Sequence, residues 1–312
     1  MTQSTAAQPT PPTTPLQLSA TAYGWLGQFR AMASPCEILL GPCDELMARQ
    51  LCAAAAAEAW RIEAKFSRYR QSSTLSQLNQ HTGQWQKLDS ETLSLLQFSK
   101  QCFELSDGMF DISSGILRKV WKFDGSDNLP SDDAVAALLP FIGFDRVELT
   151  ADSAFIPAGM ELDLGGIAKE YAVDKVGQLL LELSASVEPA LSLVVNFGGD
   201  MLAVRPKPND DPWRIGIEHP GKPDQSAMLV ALCAGALATS GDARRFLYKD
   251  GVRFSHILNP KTGWPVQNAP RSVTVSAPSC VMAGLLATTA LLQGNQAREF
   301  LQTQGLKHWV ID

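Results

Sequence analysis

Residues 161–180, ELDLGGIAKEYAVDKVGQLL, put an acid, two glycines and a lysine close together. Asp163 sits among apolar residues, Gly165 and Gly166 bare the backbone, and Lys169 falls in the first turn of a helix pattern. That order suits an anion. A helix start presents unpaired N–H groups and a partial positive charge. Glycine lets a ligand or metal approach the main chain, and lysine adds a mobile positive charge for a phosphate. Taken alone, the segment also reads as a plain helix start with a capping acid and a surface lysine. It is neither a Walker loop nor a GxGxxG dinucleotide fingerprint.

Four other stretches share this density of Gly, Asp, Ser, Thr and His. SDGMFDISSGIL (106–117) holds Met109, Phe110 and Asp111, and VNFGGDML (195–202) places Asp200 after two glycines. LATSGDARRF (237–246) carries Thr239, Ser240 and Asp242, and FSHILNPKTGWPV (254–266) carries His256 followed by Ile257. Each alone is also ordinary composition for a tight turn. His81, His219 and His308 lie in loop-like or terminal contexts and attract no chemical role.

The elements that must position these residues fall into two groups. Residues 44–66 are alanine-rich and free of Gly and Pro, which predicts a helix. A second helix is expected over 90–106, capped by Ser90 and closed by Gly108, and a third over 165–184. In the third, Ile167, Tyr171, Ala172, Val176 and Leu179 share a face. Residues 122–134 read as a polar loop. Strands follow: 191–197 turning through Gly-Gly-Asp into MLAVRP, then 213–218 and 228–235, a hairpin about Asp250-Gly251, and SVTVSAP. A helix pair closes the chain over about 279–304. Helices early and strands late predict an α+β fold.

The 312 residues allow a large buried core, and the net charge of −6 supplies no basic field for nucleic acid or for a membrane surface. No apolar run reaches a membrane span. Residues 1–22, rich in Thr, Pro, Ala and Gln, read as a disordered tail before a domain over 23–312. They lack a basic start followed by an apolar run, so a cytoplasmic protein is expected. Six cysteines without CxxC spacing suit reduced, mostly buried thiols.

Taken together, the stretches resemble the ApbE-type flavin transferases, the FAD:protein FMN transferases. The resemblance runs from about Met32 to the C-terminus. It is carried in order by AMASPCEI, FSRYRQSSTLSQLN, DGMFDIS, LDLGGIAKEYAVDKV, VNFGGD, ATSGDARR, SHILNPKTGWPV, and SVTVSAP with LLATTALL. It implies a single large α+β domain with mixed or antiparallel sheets, flanking helices and a flavin site in a central cleft. It implies FAD as substrate and Mg²⁺ as cofactor. FMN would pass to a Ser or Thr hydroxyl of a target protein carrying a flavinylation motif, with release of AMP. By matching motif, Met32, Tyr69, Met109, Phe110, Asp111, Asp163, Lys169 and Ile257 would meet the nucleotide. The carbonyl of Gly166 and the hydroxyl of Thr288 would meet the metal, and His256 would act as the base or its positioner.

Three departures stand out. Where the family's metal helix reads Ala-Asp-Ala-Leu-(Ala/Ser)-Thr, this chain reads Ala283-Gly284-Leu285-Leu286-Ala287-Thr288, so Gly284 occupies the slot of the metal carboxylate. Glu170 stands where a glycine usually follows the lysine, and Ala33 interrupts the usual Met-Gly-Thr. A missing carboxylate weakens a site for a hard cation; a water or a neighbouring acid such as Asp242 is the candidate substitute. On this reading Gly284→Asp is expected to tighten Mg²⁺ binding and to strengthen the helix. The alternatives are an FAD-binding protein with weakened or lost transfer, and a hydrolase of FAD giving FMN and AMP.

Overall fold

The computed structural model describes residues 15–243 and 245–312, without the side chains of residues 223 and 224. In chain order the elements begin with β1 (Gln17–Ala20), β2 (Trp25–Ala31), β3 (Ser34–Leu40), α1 (Glu45–Phe66) and α2 (Thr74–Gln80). Then come β4 (Trp85–Lys87), α3 (Ser90–Leu105), α4 (Asp132–Ala136), β5 (Glu148–Leu149), β6 (Ser153–Phe155) and α5 (Ala168–Leu183). The C-terminal part holds β7 (Leu193–Phe197), β8 (Asp200–Arg205), β9 (Trp213–His219), β10 (Lys222–Leu232), β11 (Gly235–Gly241), β12 (Phe246–Lys249) and β13 (Val252–Ser255). It closes with β14 (Ser272–Ala277), α6 (Cys280–Leu292), α7 (Ala297–Thr303) and β15 (His308–Ile311).

The fold is α+β, built on an eight-stranded sheet of order β1-β2-β3-β7-β8-β11-β14-β15 with antiparallel pairing throughout. Helices α1, α5 and α6 pack on one face of this sheet. The β9–β10 hairpin closes the other through Trp213, Ile217, Val230 and Leu232 against Val194, Ala203 and Leu237. The alanines of α1 account for its closeness to the sheet. Ala48, Ala55, Ala56 and Ala59 are fully buried, and Gly27 leaves room for the Cys52 thiol, since a Cβ there would lie 2.4 Å from its sulfur.

The expected late clustering of strands does not hold. Residues 25–40 form the β2–β3 hairpin, in which Gly27, Phe29, Ala31, Cys36, Ile38 and Leu40 point inward and Gln28, Arg30 and Pro35 outward. That is the period-two alternation of a half-buried strand. The expected tail is also corrected in part: Gln17–Ala20 pairs with β2, so the ordered sheet begins before residue 23, whereas residues 1–14 lie outside the described residues. Asp89, rather than Ser90, caps α3, accepting from the Thr92 N–H at 3.0 Å. The end of the expected 122–134 loop is the start of α4.

α5 begins three residues later than the pattern suggested. Gly165 and Gly166 remain in an exposed turn, and Ile167, the N-cap, offers no side-chain acceptor. Its buried stripe runs through Ala172, Val173, Val176 and Leu180. Among the described residues, no helix is long and apolar enough to cross a membrane.

Candidate active site

The turn before α5 is fastened from two sides. The Asp163 N–H donates to the Ile112 carbonyl at 2.8 Å, which ties the turn to the 3₁₀ segment Ile112–Lys119. One carboxylate oxygen of Asp163 accepts from the Gly165 N–H at 2.9 Å, and the other accepts from the Arg68 guanidinium. Arg68 in turn donates to the Tyr69 hydroxyl at 2.7 Å, its guanidinium carbon 4.9 Å from the centre of that ring. Gly115 is required here: a Cβ on it would sit 2.2 Å from Asp163 Cβ. Phe110 closes the turn from below, its Cζ 3.5 Å from where a Cβ on Gly166 would lie. Tyr69, Phe110, Asp163 and Gly166, distant in sequence, therefore meet. Tyr69 is 78% exposed, so its ring face is open to a planar ligand.

Met109 and Met32 are half-buried. The Met32 N–H donates to Glu63 Oε1 at 3.0 Å, and Met32 and Ala33 both adopt left-handed φ values (51° and 58°) in the two-residue turn between β2 and β3. Asp111 points inward. Its Oδ1 accepts from the Ser113 N–H at 2.7 Å and hydroxyl at 2.6 Å, and its Oδ2 accepts from the Phe144 N–H at 3.2 Å. Burial raises its carboxyl above the usual range against the pull of those bonds. Both oxygens thus hold the 3₁₀ segment in shape, and they position Phe110 one residue away.

A second group of residues surrounds the first turn of α5. Lys169 Nζ lies 2.6 Å from Asp200 Oδ2, with the aspartate side chain only 3% exposed. Burial is the largest single influence and disfavours the lysine charge, but the Asp200 and Glu170 charges together with the Asp200 hydrogen bond outweigh it and raise the ammonium above its ordinary value. Asp200 Oδ1 accepts from the Thr239 N–H at 3.0 Å, so the start of β8 and the end of β11 converge on this ion pair. Beside Thr239, the Ser240 and Thr288 hydroxyls share a hydrogen bond of 2.6 Å.

Glu170 is buried, and its Oε2 is without a hydrogen-bond partner. Burial, and then the Asp200 charge, push its carboxyl far above the usual range. It packs on Gly284 of α6: a Cβ at 284 would lie 2.7 Å from Glu170 Cγ and 3.1 Å from Oε1. The register of the two helices is set by Asp174, whose carboxylate accepts from the first N–H groups of α6, Cys280 at 2.7 Å and Val281 at 2.9 Å.

His256 follows the β12–β13 hairpin. Its Nδ1 lies 3.2 Å from the Arg245 carbonyl, and Phe123 meets its ring edge-on at 6.2 Å. Burial first, and then the Arg245 charge, lower its pKa to about 4, so the imidazole is neutral at pH 7. Ile257 packs against the main core and lines a cavity of about 140 Å³ with Asp242, Arg253, Ser255 and Val266. The loop after it is braced by Trp121, whose Nε1–H donates to the Gly263 carbonyl at 2.9 Å. Asp242 is committed elsewhere, its two oxygens bound by Arg253 Nε at 2.7 Å and Arg271 Nε at 2.6 Å. It is therefore not the spare carboxylate that could replace the one missing at 284. A more open groove on α3, lined by Gln97, Lys100, Gln101, Glu104 and Leu149, contains none of these side chains.

The donor set suits a hard divalent cation: an orphaned carboxylate oxygen on Glu170, the Thr288 hydroxyl and the backbone of an exposed glycine turn are all oxygen donors. Among the described residues no group of three or more His, Cys, Asp or Glu gathers as a closed metal cage. An open site completed by water and substrate oxygens is consistent with that.

Arg68, Asp174 and Gly115 were not singled out in the sequence. Arg68 lies inside the FSRYRQ stretch and Asp174 inside AVDKV, so motif membership was the available signal; Gly115 offered none short of the backbone approach itself.

The protein is similar to several named relatives. An FAD:protein FMN transferase of Vibrio cholerae is 33% identical over 243 residues, covering 75% of this chain and 71% of that protein. Its Haemophilus influenzae counterpart is 28% identical over 264 residues, covering 80% and 75%. Among solved structures, the ApbE protein of Thermotoga maritima superposes with a TM-score of 0.83 at 30% identity, over 94% of each chain. The flavin transferase ApbE of Vibrio cholerae gives 0.78 at 27%, over 95% of this chain and 94% of that one. The ApbE family pattern matches residues 32–310, and the chain belongs to that family.

Proposed function

We propose that this transferase of the ApbE family moves the FMN half of FAD onto a Ser or Thr hydroxyl of a protein acceptor, with Mg²⁺ bound, and releases AMP. The acceptor oxygen forms a bond to the FMN phosphorus, the pyrophosphate bond to AMP breaks, and the hydroxyl proton leaves to a base. The observation that carries this reading is the pairing of two unlike environments on the α5 turn. An open aromatic ring and a glycine backbone (Tyr69, Gly166), backed by the buried Phe110, lie on one side, and a buried ion pair with a neighbouring acid (Lys169, Asp200, Glu170) lies on the other. The first suits an isoalloxazine or its linker, the second a diphosphate and its counter-ion.

Bound Mg²⁺ would neutralise charge on the diphosphate and on the leaving phosphate oxygen. The protein's own residues do the rest. Lys169, held in place by Asp200, presents an ammonium toward anionic oxygen. Arg68 fixes Asp163 and thereby the glycine turn. His256, neutral at pH 7, is able to accept the acceptor proton. Incubation with FAD, Mg²⁺ and a peptide carrying a Ser or Thr acceptor tests the reading: AMP and flavin-linked peptide should appear in equal amounts. Flavin bound without either product would leave an FAD-binding protein, and free FMN with AMP would mark a hydrolase.

A further inference from the structure

We propose that the carboxylate of the cation site has moved from α6 to α5 in this chain: Glu170 serves where residue 284 would otherwise supply it. This rests on the magnesium-dependent reading above and names the ligand that reading lacks.

Four observations carry it. Residue 284, in the slot where the resemblance calls for a metal carboxylate, is glycine, and a Cβ there would lie 3.2 Å from the Glu170 carboxyl carbon. The Glu170 carboxyl thus fills the volume into which a side chain at 284 would project. Glu170 is only 9% exposed, and its Oε2 has no hydrogen-bond partner. A buried carboxyl oxygen without a partner is costly as an anion unless a cation sits beside it. The neighbouring Asp200 is matched by Lys169, whereas no lysine or arginine among the described residues pairs with Glu170. Lastly, Asp174 locks the start of α6 onto α5, so the Gly284–Glu170 contact is set by the helix pairing rather than by a mobile side chain.

The departures at Glu170 and Gly284 are therefore one exchange. An acid is lost from one helix and gained on its neighbour, and the glycine is the space that the new side chain needs. On this proposal Gly284→Asp alone should not tighten the site, unlike the expectation from sequence, because its Cβ would sit 2.7 Å from Glu170 Cγ and crowd two carboxylates together.

The test is binding of Mn²⁺ alone, followed by the electron paramagnetic resonance of the free ion and by competition with Mg²⁺. It uses the parent protein, Glu170→Gln, Gly284→Asp, and the exchanged double variant Glu170→Gly/Gly284→Asp. Glu170→Gln keeps the shape and should weaken Mn²⁺ binding about tenfold or more, since charge count sets affinity for hard cations. The double variant should return affinity to within about threefold of the parent, and Gly284→Asp alone should bind no more tightly than the parent. Glu170→Gln binding Mn²⁺ as the parent does would overturn the exchange while leaving the magnesium reading standing. A parent protein that takes up no Mn²⁺ or Mg²⁺ at millimolar concentration would overturn both.

Discussion

Lys169 and Asp200 form a 2.6 Å ion pair at the first turn of α5, with the aspartate almost wholly withdrawn from water. The motif lysine is thus not a free surface cation waiting for phosphate. It is held in one rotamer by a partner on β8, which lowers the entropy lost when it meets an anion. The arrangement also makes the lysine structural. Lys169→Ala should lower stability by roughly 2–4 kcal/mol, because it strands a buried carboxylate, as well as weakening FAD binding. Adding Asp200→Asn should restore part of the stability but none of the affinity. Urea unfolding and calorimetry with FAD separate the two effects; full recovery of FAD affinity in the double variant would remove Lys169 from the nucleotide site.

Ala33 occupies a left-handed backbone conformation (φ 58°) in the β2–β3 turn, where a side chain is strained. Ala33→Gly should therefore stabilise the protein by about 1 kcal/mol, read as a higher urea midpoint with unchanged slope. A lower midpoint would show that the turn relaxes differently.

Asp174 accepts two N–H groups at the start of α6. Asp174→Ala should cost about 1–3 kcal/mol, the penalty for leaving buried donors unpaired. It should also raise amide exchange over residues 280–284 ahead of the rest of α6. Uniform exchange across the helix would mean that packing of the buried alanines, not the carboxylate, fixes its position.

His256 has a pKa lowered to about 4 by burial and the Arg245 charge. The unfolded chain therefore binds the proton first as pH falls. Its contribution to stability is fully present above about pH 6.5, declines below that, and is gone below about pH 4. In the folded protein the imidazole resonances should stay unprotonated through pH 5. If His256 is the base, the acid limb of kcat/KM should likewise lie well below the 6.5 of a free imidazole. A titration midpoint near 6.5 would contradict the environment described.

The chemistry was more legible than the framework. Gly-Asp-Ser-Thr density marked the α5 turn, the β7–β8 turn and the β11 end because backbone approach and oxygen donors leave a compositional trace. The β2–β3 hairpin was not read, since its turn is Met32-Ala33 instead of a glycine pair and the usual punctuation is missing. The late start of α5 follows from Gly165 and Gly166 staying outside the helix, which periodicity does not reveal. Which acids are free was also invisible. Asp111, Asp163 and Asp242 have both oxygens engaged within the fold, and Glu170 leaves its Oε2 without a partner. Such pairing is a tertiary fact: Arg253 reaches Asp242 from β13 and Arg271 from the residue before β14, and no local pattern joins them.

The central claim is covalent transfer, and mass spectrometry of an acceptor peptide tests it most directly. After incubation with the protein, FAD and Mg²⁺, the account predicts a Ser- or Thr-linked FMN adduct on the peptide, matched mole for mole by AMP. It predicts that Glu170→Gln needs more Mg²⁺ to reach half the parent's rate. An unmodified peptide with FAD left intact, or with FMN released only as the free nucleotide, would contradict it.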